Sequence, residues 1–223
     1  AWLGEALRSP GDAPAAFRAR HDELATRLPK AAAVRPAESV RRRDLDRIYP
    51  EGYEATESDG LIAGDAQGAG GASAFVGIVG KSPLDAIRAW RFADAIWKKT
   101  SAPPARLEVF LDCASHAARI EDKRIVLTEY IAGMAFALAA LAARGTDVGL
   151  TVLGKAGGGV YVALAAPARR VASVYGADIQ VLPGAAVAAI LGETRDAAAT
   201  FDDYSAAGVA DEELKLGIIP GKT

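Results

Sequence analysis

The sequence predicts an α/β protein whose parallel strands are joined by right-handed helical crossovers. Three observations carry this reading. Leu107–Leu111 and Val148–Leu153 are short, mainly apolar runs with the length and continuity of buried strands. Helical patterns follow them, Glu121–Arg144 after the first and Val160–Ala166 after the second. Gly154, Gly157, Gly158 and Gly159 mark a sharp turn between the second strand and its helix, where missing Cβ atoms let other groups approach the backbone closely.

Taken in order, Asp12–Leu28 reads as a helix capped by Asp12, with Pro14 in its first turn and Phe17, Leu24 and Leu28 on one side. Lys30–Arg47 follows, and its cluster Arg41, Arg42 and Arg43 reads as a solvated face. Ile48–Gly60, punctuated by Pro50, Gly52, Ser58 and Gly60, reads as a linker loop. Residues 1–60 are therefore expected to form an N-terminal helical arm and linker, and residues 61–223 the main domain. Leu61–Ala66 and Ser73–Val79 predict a hairpin closed by Gln67–Gly71.

Ser82-Pro83-Leu84-Asp85 supplies a cap, a proline at the first helical position and an acid three residues after the serine. The helix it opens carries Ile87, Trp90, Phe92, Ile96 and Trp97 and stops at Pro103-Pro104. Gly80-Lys81-Ser82 is not a P-loop, because Phe75 stands where that motif requires glycine. After Leu107–Leu111 comes Asp112-Cys113-Ala114-Ser115-His116, then one long helix, Glu121–Arg144, stopped by Gly145. Val171–Tyr175 and Ile179–Leu182 read as short strands, a small helix is expected after Pro183-Gly184, and the tail reads as helical around Asp211–Leu216.

A net charge of −2, from 26 basic and 28 acidic residues, gives no field that would draw nucleic acid or anionic lipid. The longest apolar run, Ile131–Ala143, contains Gly133 and ends at Arg144, short of the ~20 residues a membrane span needs. A buried helix is expected there. The single cysteine, Cys113, excludes an intrachain disulfide and fits a reducing compartment, and nothing in the sequence reads as a signal peptide, so the expected location is cytoplasmic. His21 and His116 have no spaced acids and cysteines around them, so no metal site is expected.

In a parallel sheet, chemistry gathers at the strand C-termini. The loops after Leu111 and Leu153 stand there and are expected to open on one cleft. Cys113 reads as a small buried hydrophobe in preference to a nucleophile. His116 is the better candidate as a proton or hydrogen-bond donor. The glycine turn itself allows two chemical readings. Gly154, Ala156 and Gly159 fit a relaxed dinucleotide fingerprint, with Asp178 about 20 residues on as the ribose-binding acid. Alternatively, amides of Gly157, Gly158 and Gly159 form an oxyanion hole whose second donor comes from the Ser115–His116 loop.

A strand followed by Gly-Lys-Ala-Gly-Gly-Gly, an alanine-rich helix, Arg169-Arg170-Val171-Ala172-Ser173-Val174 and a short strand ending at Pro183-Gly184 resembles the oxyanion turn of the crotonase superfamily. The whole order of elements from residue 60 to about 218, including Asp203-Tyr204 and Ala207-Gly208, is similar to the gamma subunits of malonate decarboxylases, relatives of the acyl-CoA carboxyltransferases. The resemblance implies a crotonase-like (ClpP/crotonase) fold of repeated ββα units with an N-terminal helical extension. It also implies a lyase subunit that, with a beta subunit, decarboxylates a malonyl thioester carried on an acyl carrier protein. The prosthetic group, derived from dephospho-CoA, would sit on that carrier, and this chain would bind no cofactor. Gly157, Gly158, Gly159, Ser115 and His116 take the catalytic positions, and Lys155, Ala156 and Tyr161 those of substrate binding.

The chain departs from the family pattern at three places. Gly157 stands where members often carry serine, Ala114-Ser115-His116 replaces Gln-Gly-Gln, and Val187-Ala188-Ala189-Ile190-Leu191 lacks an expected arginine. These departures leave a third reading, a structural subunit with a degenerate site.

Overall fold

A computed structural model describes residues 13–28, 42–68, 71–80, 83–117, 120–181 and 199–216. Its strands form one mixed sheet in the spatial order β1-β2-β3-β4-β5-β6-β8, with β7 paired to β5. The strands are β1 Tyr53–Ser58, β2 Leu61–Gly68, β3 Gly71–Ile78, β4 Arg106–Cys113, β5 Asp147–Gly157, β6 Arg170–Val174, β7 Asp178–Gln180 and β8 Glu212–Leu214. The helices are α1 Ala13–Ala25, α2 Arg42–Ile48, α3 Ala86–Lys99, α4 Ile120–Arg124, α5 Leu127–Ala142, α6 Gly158–Ala165 and α7 Phe201–Ala206.

β1, β2 and β3 form an antiparallel meander, and from β3 onward every pairing is parallel. Chain order and spatial order run the same way from β3 to β6. The sheet therefore lacks the reversal of strand order at which doubly wound dinucleotide-binding folds place their ligand. The dinucleotide reading of the glycine turn loses its architectural support.

Alternation along the parallel strands sorts side chains to two faces. Val76, Ile78, Leu107, Val109, Leu111, Val148, Leu150 and Val152 meet the buried sides of α3, α5 and α6 in the main core. Phe75, Phe110 and Leu153 point the other way and are covered by Leu45 of α2. Ala89, Phe92, Ala93 and Ile96 recur at helical spacing on α3 and are all buried, which explains why this stretch folds as a helix against the sheet. On α1, Phe17 stacks on Phe136 of α5 at 4.1 Å, and the Trp90 indole of α3 donates to the carbonyl of His21 at 3.0 Å.

Several elements differ from their sequence reading. Ile48–Gly60 is not a loop, because β1 occupies Tyr53–Ser58 at the sheet edge. Its side chains are largely exposed, so the strand carries no apolar alternation to announce it. Helix α3 is capped by Asp85, whose Oδ1 accepts from the Arg88 amide at 2.9 Å. Pro83 and Leu84 precede the helix because the Leu84 backbone pairs with the loop at His116, while Ser82 lies outside the described residues. The long helix is broken at Val126, whose φ of 58° leaves the right-handed helical region and separates α4 from α5.

In the tail, Glu212–Leu214 is a strand where a helix was expected. The Asp211 amide donates to the Val171 carbonyl and the Asp211 carboxylate accepts from the Val171 amide, both at 2.7 Å, which adds β8 beside β6. The helix expected after Pro183-Gly184, the cap Asp12 and Arg41 all lie outside the described residues. Among the described residues no helix is long and apolar enough to cross a membrane.

Candidate functional site

The site grows from an irregularity between the two central strands. Leu111 pairs with Val152, but Cys113 pairs with Ala156, so β5 carries two more residues than β4 between these pairs. Such a bulge displaces amides from the ladder. Asp112, buried beside it, accepts the Lys155 amide on Oδ1 at 2.8 Å. A charged acceptor in that position holds the bulge, and with it the direction in which β5 arrives at its end.

Beyond the bulge the strand continues to Gly157, so Lys155, Ala156 and Gly157 belong to the sheet and not to a turn. They pair with Asp178, Ile179 and Gln180 of β7. Asp178 is thus a ladder neighbour of Lys155 and lies beside Gln180, whose amide nitrogen donates to its carboxylate. That position is not the end of the strand after the glycine helix, where a ribose-binding acid would stand. The Ala156 side chain is buried in the core, so its part in any site is limited to its backbone. The Lys155 side chain is exposed.

Each glycine has its own physical reason. A Cβ at Gly157 would lie 2.3 Å from the Ala114 carbonyl oxygen and 3.0 Å from that of Gln180. The space a serine would occupy there is filled by backbone of the Ala114 loop and of β7, which accounts for a glycine at this position. Gly158 has φ of 55°, a left-handed conformation that turns the strand directly into α6. Among the described residues, a Cβ on Gly159 would meet nothing within 4 Å, so that side of the first turn is open.

α6 begins with no side-chain cap and no acid in its first turn. Its first amides have no acceptor within the helix, and the aligned peptide dipoles favour negative charge at this end. A Cβ on Gly158 would lie 4.0 Å from Nδ1 of His116, so the imidazole stands over the same turn. The loop that carries it is held from two sides. Leu84 donates its amide to the Ser115 carbonyl at 3.0 Å and accepts the Ala117 amide at 2.8 Å. The Cys113 thiol also donates to the Ser115 carbonyl, at 3.1 Å.

The structure therefore brings together His116, Ser115, Gly158 and Gly159. Ser115 directs its hydroxyl to the His116 carbonyl at 3.2 Å. Cys113 is fully buried, and burial pushes its thiol above the ordinary range, so it is a core residue and no nucleophile. Tyr161, expected at the substrate, is buried with its hydroxyl donating to the Val209 carbonyl. Burial raises its pKa as well, and its contact anchors the tail segment to α6. Asp112 was missed by sequence reasoning, and a lone acid after LEVFL gives no signal for a bulge that only the pairing of two distant strands creates. Among the described residues no group of three or more His, Cys, Asp or Glu side chains is placed to hold a metal ion.

No family model matches the sequence, and no curated protein matches it. Solved structures do. The chain is similar to transcarboxylase 12S in its hexameric core with hydrolysed methylmalonyl-coenzyme A bound, at 19% identity and a TM-score of 0.67, over 87% of this chain and 40% of that one. It is similar to the Pseudomonas malonate decarboxylase MdcD-MdcE hetero-dimer at 18% identity and a TM-score of 0.62, over 80% of each chain. A third likeness is to the beta subunit of P. aeruginosa geranyl-CoA carboxylase, at 16% identity and a TM-score of 0.64, covering 86% of this chain and 50% of that one. The chain thus spans about half or less of two of these proteins and most of the malonate decarboxylase subunit. At these identities the likeness is one of fold: a mixed α/β architecture shared with transcarboxylase 12S and with the malonate decarboxylase hetero-dimer.

Proposed function

We propose that this chain is the gamma-type subunit of a malonate decarboxylase, a carboxy-lyase acting on a malonyl thioester at an interface with a beta-type subunit. The observation that carries the reading is the uncapped start of α6, entered through left-handed Gly158 and overlooked by His116. The fold shared with subunits that act on acyl thioesters supports it, as does a hetero-dimeric neighbour that this chain matches over most of its length.

In this reading the bond between the malonyl carboxylate and its α-carbon breaks. Carbon dioxide leaves, and the electron pair moves into the thioester carbonyl as an enolate. Amides of Gly158 and Gly159 face the charge that develops on oxygen, and each such donor lowers the barrier by about 2.7–4 kcal/mol in comparable sites. Gly157, embedded in the ladder, sets the steric frame for these donors. His116 then delivers a proton, directly or through water, to the α-carbon, giving the acetyl thioester. Lys155, exposed just before the turn, provides a cation for the malonyl carboxylate.

The remaining parts belong to the partners: a beta subunit to complete the cleft, and an acyl carrier protein whose prosthetic group, derived from dephospho-CoA, presents the substrate. This chain binds no cofactor of its own in the proposal, and the complex is cytoplasmic. The test is carbon dioxide release from a malonyl thioester by the chain assembled with a beta-type subunit. Gly159→Pro deletes an amide in the first helical turn, whose N–H has no partner within α6. Gly159→Ala keeps the amide and fits the open space. Loss of release in the proline variant alone, with assembly intact, supports the reading; equal activity in both contradicts it.

A further inference from the structure

Resting on the reading above, we propose that Arg88 is a positioning residue for the His116 loop, acting through Pro83 and Leu84. Arg88 lies on the first turn of α3 and is 4% exposed. Its Nη1 donates to the Pro83 carbonyl at 3.1 Å. The next residue, Leu84, is the one whose amide and carbonyl bind Ser115 and Ala117 on either side of His116. A buried guanidinium thus fixes the peptide that fixes the histidine loop.

The slot around the guanidinium is specific to it. Cβ atoms at Gly60 and Gly80 would each lie 3.3 Å from Nη2, so two bare backbones flank the group. Gly60 has φ of 71°, and its carbonyl accepts the Val79 amide at 2.9 Å, which joins the two glycine segments into one wall. The Asp85 cap holds the Arg88 backbone at the base of the same turn. The positive charge also reaches the end of β4, where it opposes the rise that burial imposes on the Cys113 thiol. Lysine offers one point charge on a flexible stem in place of a planar fork, and cannot keep the Pro83 contact and fill the slot together.

The chain has only two histidines, His21 and His116, so its imidazole NMR spectrum is assigned by His116→Gln alone. Arg88→Lys and Gly80→Ala are compared with Arg106→Gln, a change at the exposed 3.7 Å ion pair with Asp147, at the end of β4 opposite the His116 loop. Gly80→Ala keeps Arg88 and crowds Nη2 and the Gly60 Cα, each at 3.3 Å, so it narrows the slot and reports even if Arg88→Lys does not fold. The proposal expects the His116 resonances to shift in Arg88→Lys and Gly80→Ala, with His21 unmoved and Arg106→Gln silent. In the assembled enzyme, Arg88→Lys should lower kcat by about 10–100-fold at constant KM, the scale of a small misplacement. His116 resonances unchanged in the folded variants would overturn the positioning role. A shifted His116 in a complex that releases no carbon dioxide would sink the decarboxylase reading and leave the positioning role standing.

Discussion

Nδ1 of His116 lies 4.0 Å from the point a Cβ would occupy on Gly158, so an imidazole from the end of β4 and the opening turn of the helix after β5 share one wall. No stretch of sequence joins the two. They meet because β4 and β5 are neighbours in register and because Asp112 ties the bulge between them to the Lys155 amide.

The two adjacent glycines should respond differently to alanine. Gly158→Ala forces a side chain into φ of 55° and should cost about 1–2 kcal/mol of stability, read by urea denaturation. Gly159→Ala meets open space and should stay within about 0.5 kcal/mol of the parent. Equal costs would mean that the turn is not built on Gly158.

Gly157→Ser tests the steric frame. Its Cβ would press on backbone carbonyls of Ala114 and Gln180, neither of which is a flexible side chain that can swing away. Destabilisation of about 1–3 kcal/mol is expected, in line with overpacking elsewhere. A neutral substitution would show that the Ala114 loop and the end of β7 yield easily.

Val126 holds a β-branched side chain in the left-handed region while 43% exposed, so it contributes strain with little burial in return. Val126→Asn should therefore stabilise the fold by about 0.5–1 kcal/mol, since asparagine tolerates this conformation. Thermal unfolding would register a rise of about 1–4 °C for a chain of this size. A fall in midpoint would show that the valine side chain earns its place by contacts.

His21 provides a pH dependence. It stacks on Trp90 at 4.8 Å with Nε2 3.5 Å from Asp94, a separation too long for a strong hydrogen bond. Burial lowers its pKa, outweighing the nearby carboxylates of Asp94 and Asp22, while Arg18 pushes the same way as burial. A histidine whose folded pKa lies below its unfolded value of about 6.5 weakens the fold as pH falls below 6.5 toward the folded pKa, where the loss levels off. His21→Phe should flatten this part of the stability profile, measured by denaturation between about pH 7.5 and 5. An unchanged slope would assign the dependence to other groups.

How much of this was legible in the sequence follows from the range of the forces involved. Buried strands such as Leu107–Leu111 and the Leu61–Val79 hairpin announce themselves through local apolar pattern, and the structure has both. β1 does not, because its side chains are largely exposed and carry no apolar pattern, although its partner β2 follows directly across Asp59-Gly60. β8 does not, because it needs only a backbone partner and that partner, β6, is distant in the chain. The break in the long helix is not legible either, since nothing in Arg124-Ile125-Val126 foretells a left-handed residue. At the site, the glycine run was conspicuous, and its open Gly159 and turning Gly158 lie where the sequence placed a turn. The buried hydroxyl of Tyr161 and the bulge acceptor Asp112 depended on contacts across about 40 residues or more, beyond any local pattern.

The most direct measurement is carbon dioxide release from a malonyl thioester by the chain assembled with a beta-type subunit, comparing Gly159→Pro with Gly159→Ala. The account predicts that proline lowers kcat by about 10²–10³-fold while the complex still assembles, and that alanine leaves it near the parent value. Equal rates for the two assembled variants would contradict the claim that the first amides of α6 stabilise the reacting oxygen.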